Sequence, residues 1–170
     1  PNSGFSGVGA NLTGTSAVEA RFEDCVFDYN ARTNYPGNRN TCMQGAGFYA
    51  TGFRRVYVDN CLFATNCGIM GISSEYGQDN GDGGGAIWAN AQPMTVRNTR
   101  FIANNTPGRS YGGDRGGTVR ITGASGGTAF SNCTFVANCC KWSSGYTALG
   151  APISIQSANT SDFYDIEGCT

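Results

Sequence analysis

Four short blocks decide how this chain reads: Phe27-Asp28-Tyr29-Asn30, Phe63-Ala64-Thr65-Asn66, Phe101-Ile102-Ala103-Asn104 and Phe135-Val136-Ala137-Asn138. Each is F-x-x-N, and the phenylalanines stand 36, 38 and 34 residues apart. The match runs backward through Cys25, Cys61, Thr99 and Cys133, each two residues before its Phe, and through a shared apolar position at Phe22, Val58, Val96 and Phe130. A fifth copy opens at Ile166-Glu167-Gly168-Cys169, which aligns with Val58-Asp59-Asn60-Cys61 and stops before its Phe.

A second element precedes each block: Gly45-Ala46-Gly47-Phe48, Gly84-Gly85-Ala86-Ile87, Gly116-Gly117-Thr118-Val119 and Gly150-Ala151-Pro152-Ile153, with Gly7-Val8-Gly9-Ala10 as a looser opening copy. Short alternating segments such as Val119-Arg120-Ile121 follow, which is strand patterning. Three such strands per repeat, divided by Gly, Asn and Ser turns, are too small to form a sheet alone. They become stable when successive repeats stack and equivalent strands pair in parallel at about 4.8 Å. The expectation is an all-β chain folded as a right-handed parallel β-helix, about 4–5 coils of roughly 36 residues with three short strands each. Its single domain, 1–170, divides into repeats at approximately 7–44, 45–83, 84–115, 116–149 and 150–170, the last incomplete. A β-sandwich also has short strands and frequent turns, but it does not explain why residue identities recur at a fixed period.

Stacking places equivalent inward residues on one another. Phe27, Phe63, Phe101 and Phe135 form one column, and Ile87, Val119 and Ile153 continue Phe48 in another. Burying one such Phe stabilises by roughly 2–3 kcal/mol. Asn30, Asn66, Asn104 and Asn138 suit a turn where each side-chain amide bonds the copies on either side.

The alternation of G-G-A-[ILV], matched fully by Gly84-Gly85-Ala86-Ile87, with four copies of F-x-x-N resembles the repeats of the chlamydial polymorphic outer-membrane proteins and of similar surface adhesins. That resemblance implies a β-helix and a surface role. It carries an architecture more than an activity.

Composition narrows the function classes. Gly makes up 26 of 170 residues, and Leu occurs only at Leu12, Leu62 and Leu149, which disfavours helices. The 11 basic and 12 acidic groups form no run of one sign, so neither nucleic acid nor an anionic membrane is an expected partner. No eighteen-residue apolar run is present for membrane insertion, and the opening residues lack a signal-peptide pattern, so the chain reads as mature or excerpted.

Eight cysteines point to an oxidising compartment. A structural metal is not expected, since there is no His and no C-x-x-C. If Cys25 and Cys61 lie on adjacent coils, their Cα atoms stand about 5 Å apart, as a disulfide requires, and Cys133 with Cys169 repeats the arrangement. Thr99 interrupts the column between the two pairs. Cys42 with Cys67 is a further plausible pair, whereas Cys139 and Cys140 are not expected to bridge each other because a vicinal disulfide strains the peptide. The N-x-[ST] pattern marks Asn11, Asn104, Asn132 and Asn159 as candidates for N-linked glycans. Asn11 and Asn159 fall in turns, while Asn104 and Asn132 read as structural. For Asp79-Asn80-Gly81-Asp82-Gly83, a Gly-rich turn is a better account than calcium, because alternate oxygen ligands and a closing Glu are missing. No cofactor is expected.

The leading expectation is a secreted or cell-surface structural protein: a fibre or appendage subunit, or an adhesin stem, assembled by end-to-end stacking of copies of itself. No terminal cap is evident, which also fits an excerpt of a longer β-helix. The alternatives are a carbohydrate-active β-helix enzyme, a polysaccharide lyase or hydrolase, and a non-catalytic glycan-binding module. Enzymatic chemistry needs paired carboxylates or a base beside them. Asp114, Arg115 and Arg120, or Asp59 with Arg54 and Arg55, supply such groups if folding gathers them. Binding of surface glycans or proteins would draw on Tyr49, Trp88, Tyr111, Trp142 and Tyr146. The segments at 31–44, 67–83 and 139–149 are where specificity is expected to sit.

Overall fold

The computed structural model of this chain describes residues 5–6, 9–30, 43–66, 84–90, 92–105, 117–124, 127–138, 152–157 and 164–170. Within them the chain is all-β and forms no helix. Strands β1 (Phe5–Ser6) and β5 (Met43–Gln44) make a small parallel pair. The others fall into three parallel sheets of stacked strands. The first sheet stacks β2 (Ala10–Thr13), β6 (Phe48–Thr51), β9 (Gly84–Asn90), β12 (Gly117–Ala124) and β15 (Ile153–Ser157). The second stacks β3 (Glu19–Glu23), β7 (Arg55–Asp59), β10 (Met94–Arg97), β13 (Thr128–Ser131) and β16 (Tyr164–Glu167). The third stacks β4 (Val26–Asp28), β8 (Leu62–Ala64), β11 (Arg100–Ile102) and β14 (Thr134–Val136). The chain visits the three sheets in turn, so each of the first four layers takes one strand from each and the last takes β15 and β16.

Register follows the repeat alignment. Phe27 pairs with Phe63, Phe63 with Phe101 and Phe101 with Phe135 in the third sheet. Phe22, Val58, Val96, Phe130 and Ile166 form one row of the second. Phe48, Ile87, Val119 and Ile153 form one row of the first. The period-2 alternation of the strands then sends one set inward. In β7, Val56 and Val58 are fully buried while Arg55, Tyr57 and Asp59 face outward. The core is this inner lining, with Phe48, Phe63, Phe101, Phe130, Met94 and Ile121 among its largest members. Phe27, Phe63, Phe101 and Phe135 stack with centroids 4.8, 5.1 and 4.7 Å apart and planes within 11°. Parallel register fixes that spacing, because the interstrand distance is itself close to the offset-stacking distance of aromatic rings.

The small residues before β6 have a steric cause. Gly45 has φ 66°, a conformation open to Gly at little cost. A Cβ on Gly47 would fall 2.6 Å from Ala86 O and 2.9 Å from the Phe63 ring. The backbone there passes directly against the next layer and the phenylalanine column.

Candidate functional site

Two left-handed corners bound the third sheet in every described layer. Entering it, Asp24, Asn60, Asn98, Asn132 and Gly168 have φ between 50° and 60°. These residue types tolerate such a backbone, since Asx side chains bond locally and Gly has no Cβ. Leaving it, Tyr29, Thr65, Ala103 and Ala137 have φ between 52° and 55°. None of these types favours αL, and a β-branched Thr is a marked outlier there.

The asparagine that follows supplies the compensation. Asn30 donates from its backbone N–H (3.2 Å) and its Nδ2 (2.9 Å) to Asn66 Oδ1. Asn66 donates in the same way to Asn104 Oδ1 (3.2 and 2.8 Å), and Asn104 to Asn138 Oδ1 (3.0 and 3.0 Å). Each amide also reaches the preceding layer: the Nδ2 of Asn66, Asn104 and Asn138 donates to the carbonyl of Phe27, Phe63 and Phe101 at 2.9, 2.9 and 2.8 Å. Asn66 and Asn104 are buried, and these bonds replace water for both of their amide groups.

On the outer face of the second sheet, charges pair across layers. Glu19 accepts from Arg21 (2.9 Å) and from Arg54 of the next layer. The Arg54 and Arg21 guanidinium groups hold its carboxyl below the usual range. Burial pushes the Asp59 carboxyl up, but hydrogen bonds from Asn98 (3.0 Å) and Arg97 (2.9 Å) outweigh it and keep the group below its ordinary value. Arg21 lies over the Tyr57 ring at 4.1 Å. The grouping of Asp59 with Arg54 and Arg55 does not form: Arg54 serves Glu19, and Arg55 donates to Thr95 Oγ1 and Gly127 O. Asp59 and Glu19 are therefore ionised, paired carboxylates, without the raised pKa a general acid needs near neutrality. Asp114 and Arg115 lie outside the described residues.

The first sheet differs from expectation on its outer face. Asn11, Tyr49, Trp88, Arg120 and Ser154 share one outward row. Trp88, read from sequence as an exposed aromatic, is only 5% exposed, and Arg120 only 1%. The Arg120 guanidinium lies 5.4 Å from the Trp88 ring centroid, Trp88 Nε1 donates to Thr122 Oγ1 (3.1 Å), and Thr122 Oγ1 donates to Asn90 Oδ1 (3.0 Å). Strand alternation specifies which side a residue takes; it does not say whether that side is covered. Tyr111, Trp142 and Tyr146 lie outside the described residues. Exposed apolar side chains instead occur on the third sheet, where Val26 is 67% and Val136 50% exposed beside the buried Phe column. The sequence holds the signal for these positions, since residues flanking an inward Phe in a strand point outward.

Cys25, Cys61, Cys133 and Cys169 are free thiols, so the expected bridges are not formed in this structure. Each thiol instead approaches the carbonyl two residues before it, at 3.2, 3.2, 3.4 and 3.5 Å. Cys42, Cys67, Cys139, Cys140, the Asp79–Gly83 turn and the candidate glycan site Asn159 lie outside the described residues. Of the other sequons, Asn11 is exposed but lies within strand β2 and not in the expected turn, Asn132 is exposed at a left-handed corner, and Asn104 is 1% exposed with its amide fully engaged, which leaves no room for a glycan. Among the described residues, no three His, Cys, Asp or Glu side chains group as metal ligands. No family model, curated protein or solved structure matches this chain.

Proposed function

We propose that the three sheets are the walls of a parallel β-helix and that the protein is a rigid extracellular stem or fibre module. The observation that supports this most is the continuous register of the second and third sheets. Phe stacks on Phe and Asn bonds Asn through four successive layers, with backbone bonds running along the same axis. Such an array is stiff along its stacking direction, because bending must open several ladders together. Its contacts are the same from layer to layer, so the pairing that joins layers would also join copies of the chain into a fibre.

The cysteine content supports an oxidising, extracellular setting, and exposed Asn11 is available to carry a glycan there. A catalytic role has less support, since Glu19 and Asp59 on the second sheet are held in ion pairs with arginines. Electron microscopy of concentrated protein tests the reading. Elongated particles with an axial repeat near 4.8 Å support a stacked fibre. A monodisperse compact monomer at every concentration refutes self-assembly, and cleavage of a polysaccharide in a substrate screen refutes the structural role.

A further inference from the structure

The cysteines are arranged for a specific redox chemistry. Cys25, Cys61, Thr99, Cys133 and Cys169 occupy one position along the stack, joined through the backbone bonds Leu62 N to Cys25 O (2.9 Å), Arg100 N to Cys61 O (3.0 Å), Thr134 N to Thr99 O (3.0 Å) and Thr170 N to Cys133 O (2.9 Å). Thr99 Oγ1 donates to Arg97 O at 2.8 Å, the bond the thiols make at their own positions, so Thr99 is a non-oxidisable equivalent of a cysteine here. Neighbouring layers are about 4.8 Å apart, inside the Cα range a disulfide accepts; positions two layers apart are about twice that and outside it. Thr99 therefore limits this column to Cys25 with Cys61 and Cys133 with Cys169. Accessibility is also divided within each pair: Cys61 is 3% and Cys133 0% exposed, whereas Cys25 and Cys169 are half-buried.

We propose that each pair is a redox clasp between adjacent layers, closed by exchange with a small-molecule disulfide such as oxidised glutathione, with Cys25 and Cys169 reacting first and Cys61 and Cys133 completing the bridge. The Cys25 thiolate attacks one sulfur of the small disulfide, whose S–S bond breaks and releases one thiol. Cys61 then loses its proton, and its sulfur attacks the Cys25 sulfur of the mixed disulfide and displaces the second thiol. Two protein thiols become one disulfide, and one small disulfide becomes two thiols. Cys133 and Cys169 follow the same course. Burial pushes the Cys61 thiol up and, helped by its neighbour Cys169, the Cys133 thiol to about 11, which keeps the inner sulfurs protonated and makes them the slower to attack an outside reagent. The pairing rests on register and does not depend on the protein being a fibre; the accessibility of Cys25 and Cys169, which lie in the two outermost layers, is that of the unassembled chain.

The test treats the reduced full chain with oxidised glutathione under native conditions, followed by acid quenching, alkylation, trypsin and tandem mass spectrometry. Trypsin leaves Cys25 in residues 22–32 and Cys169 in 142–170, each the sole cysteine of its peptide. The expected links are Cys25–Cys61 and Cys133–Cys169. Cys61→Thr and Cys133→Thr, which copy the residue already accepted at 99, should trap glutathione on Cys25 and Cys169. Those adducts should form at least about tenfold faster than the adduct on Cys61 in Cys25→Thr. A Cys61–Cys133 link, equal rates at inner and outer thiols, or absence of both expected bridges after oxidation overturns the proposal. Circular dichroism of each variant separates lost reactivity from lost folding.

Discussion

Replacing Asn104 by Ala removes an amide that makes four side-chain hydrogen bonds: Nδ2 to Phe63 O (2.9 Å) and to Asn138 Oδ1 (3.0 Å), and Oδ1 from the N–H (3.2 Å) and Nδ2 (2.8 Å) of Asn66. The site is 1% exposed, so water does not take over these partners. At a net value near 1 kcal/mol per bond, the expected loss is about 4 kcal/mol. Asn30 occupies the same motif position but, among the described residues, bonds through its side chain only to Asn66 Oδ1. Asn30→Ala should therefore cost about 1 kcal/mol. Urea unfolding of both variants, followed by far-UV circular dichroism, measures the difference through the midpoint and slope. If the two losses agree within about 0.5 kcal/mol, the amide column is not a stabilising element and the reasoning fails.

Other outcomes follow from the same geometry. Phe101→Ala, at a fully buried ring stacked on both sides, should cost about 3–5 kcal/mol, while Val136→Ala, 50% exposed, should shift the unfolding midpoint little. Ala103→Gly, at φ 52°, should stabilise by about 0.5–1 kcal/mol, and Asn98→Val, at φ 51°, should destabilise by at least about 1 kcal/mol, both readable by thermal unfolding. Under reducing conditions stability should fall as pH rises above 9: Cys133 is raised from 9.0 to about 11, so the folded state holds its thiol proton where the unfolded state releases it. Cys133→Thr should flatten that alkaline slope. At the acid end, the lowered carboxyls of Glu19 and Asp59 contribute stability present above their unfolded values and lost as pH falls through their folded ones.

The division between what sequence and tertiary structure determined follows from where the physical information lies. Repetition of F-x-x-N, of the apolar position three residues before each Cys or Thr99, and of the Gly-rich segments was enough to place strands in register, because parallel in-register stacking is the arrangement in which identical residues meet themselves. The run Asp24, Asn60, Asn98, Asn132 and Gly168 also announced its left-handed corner, in residue types that accept one. Tyr29, Thr65, Ala103 and Ala137 announced nothing, since their αL backbone is imposed by the neighbouring asparagine bonds and runs against their own preference. Trp88 and Arg120 alternate outward as the pattern requires, yet only the tertiary structure shows that these two members of the row are buried. The choice of Arg54 to pair with Glu19 and leave Asp59 to Arg97 was likewise made by the stacking of layers. Local sequence carries periodicity and backbone preference; coverage and charge pairing depend on which distant residues a layer brings alongside.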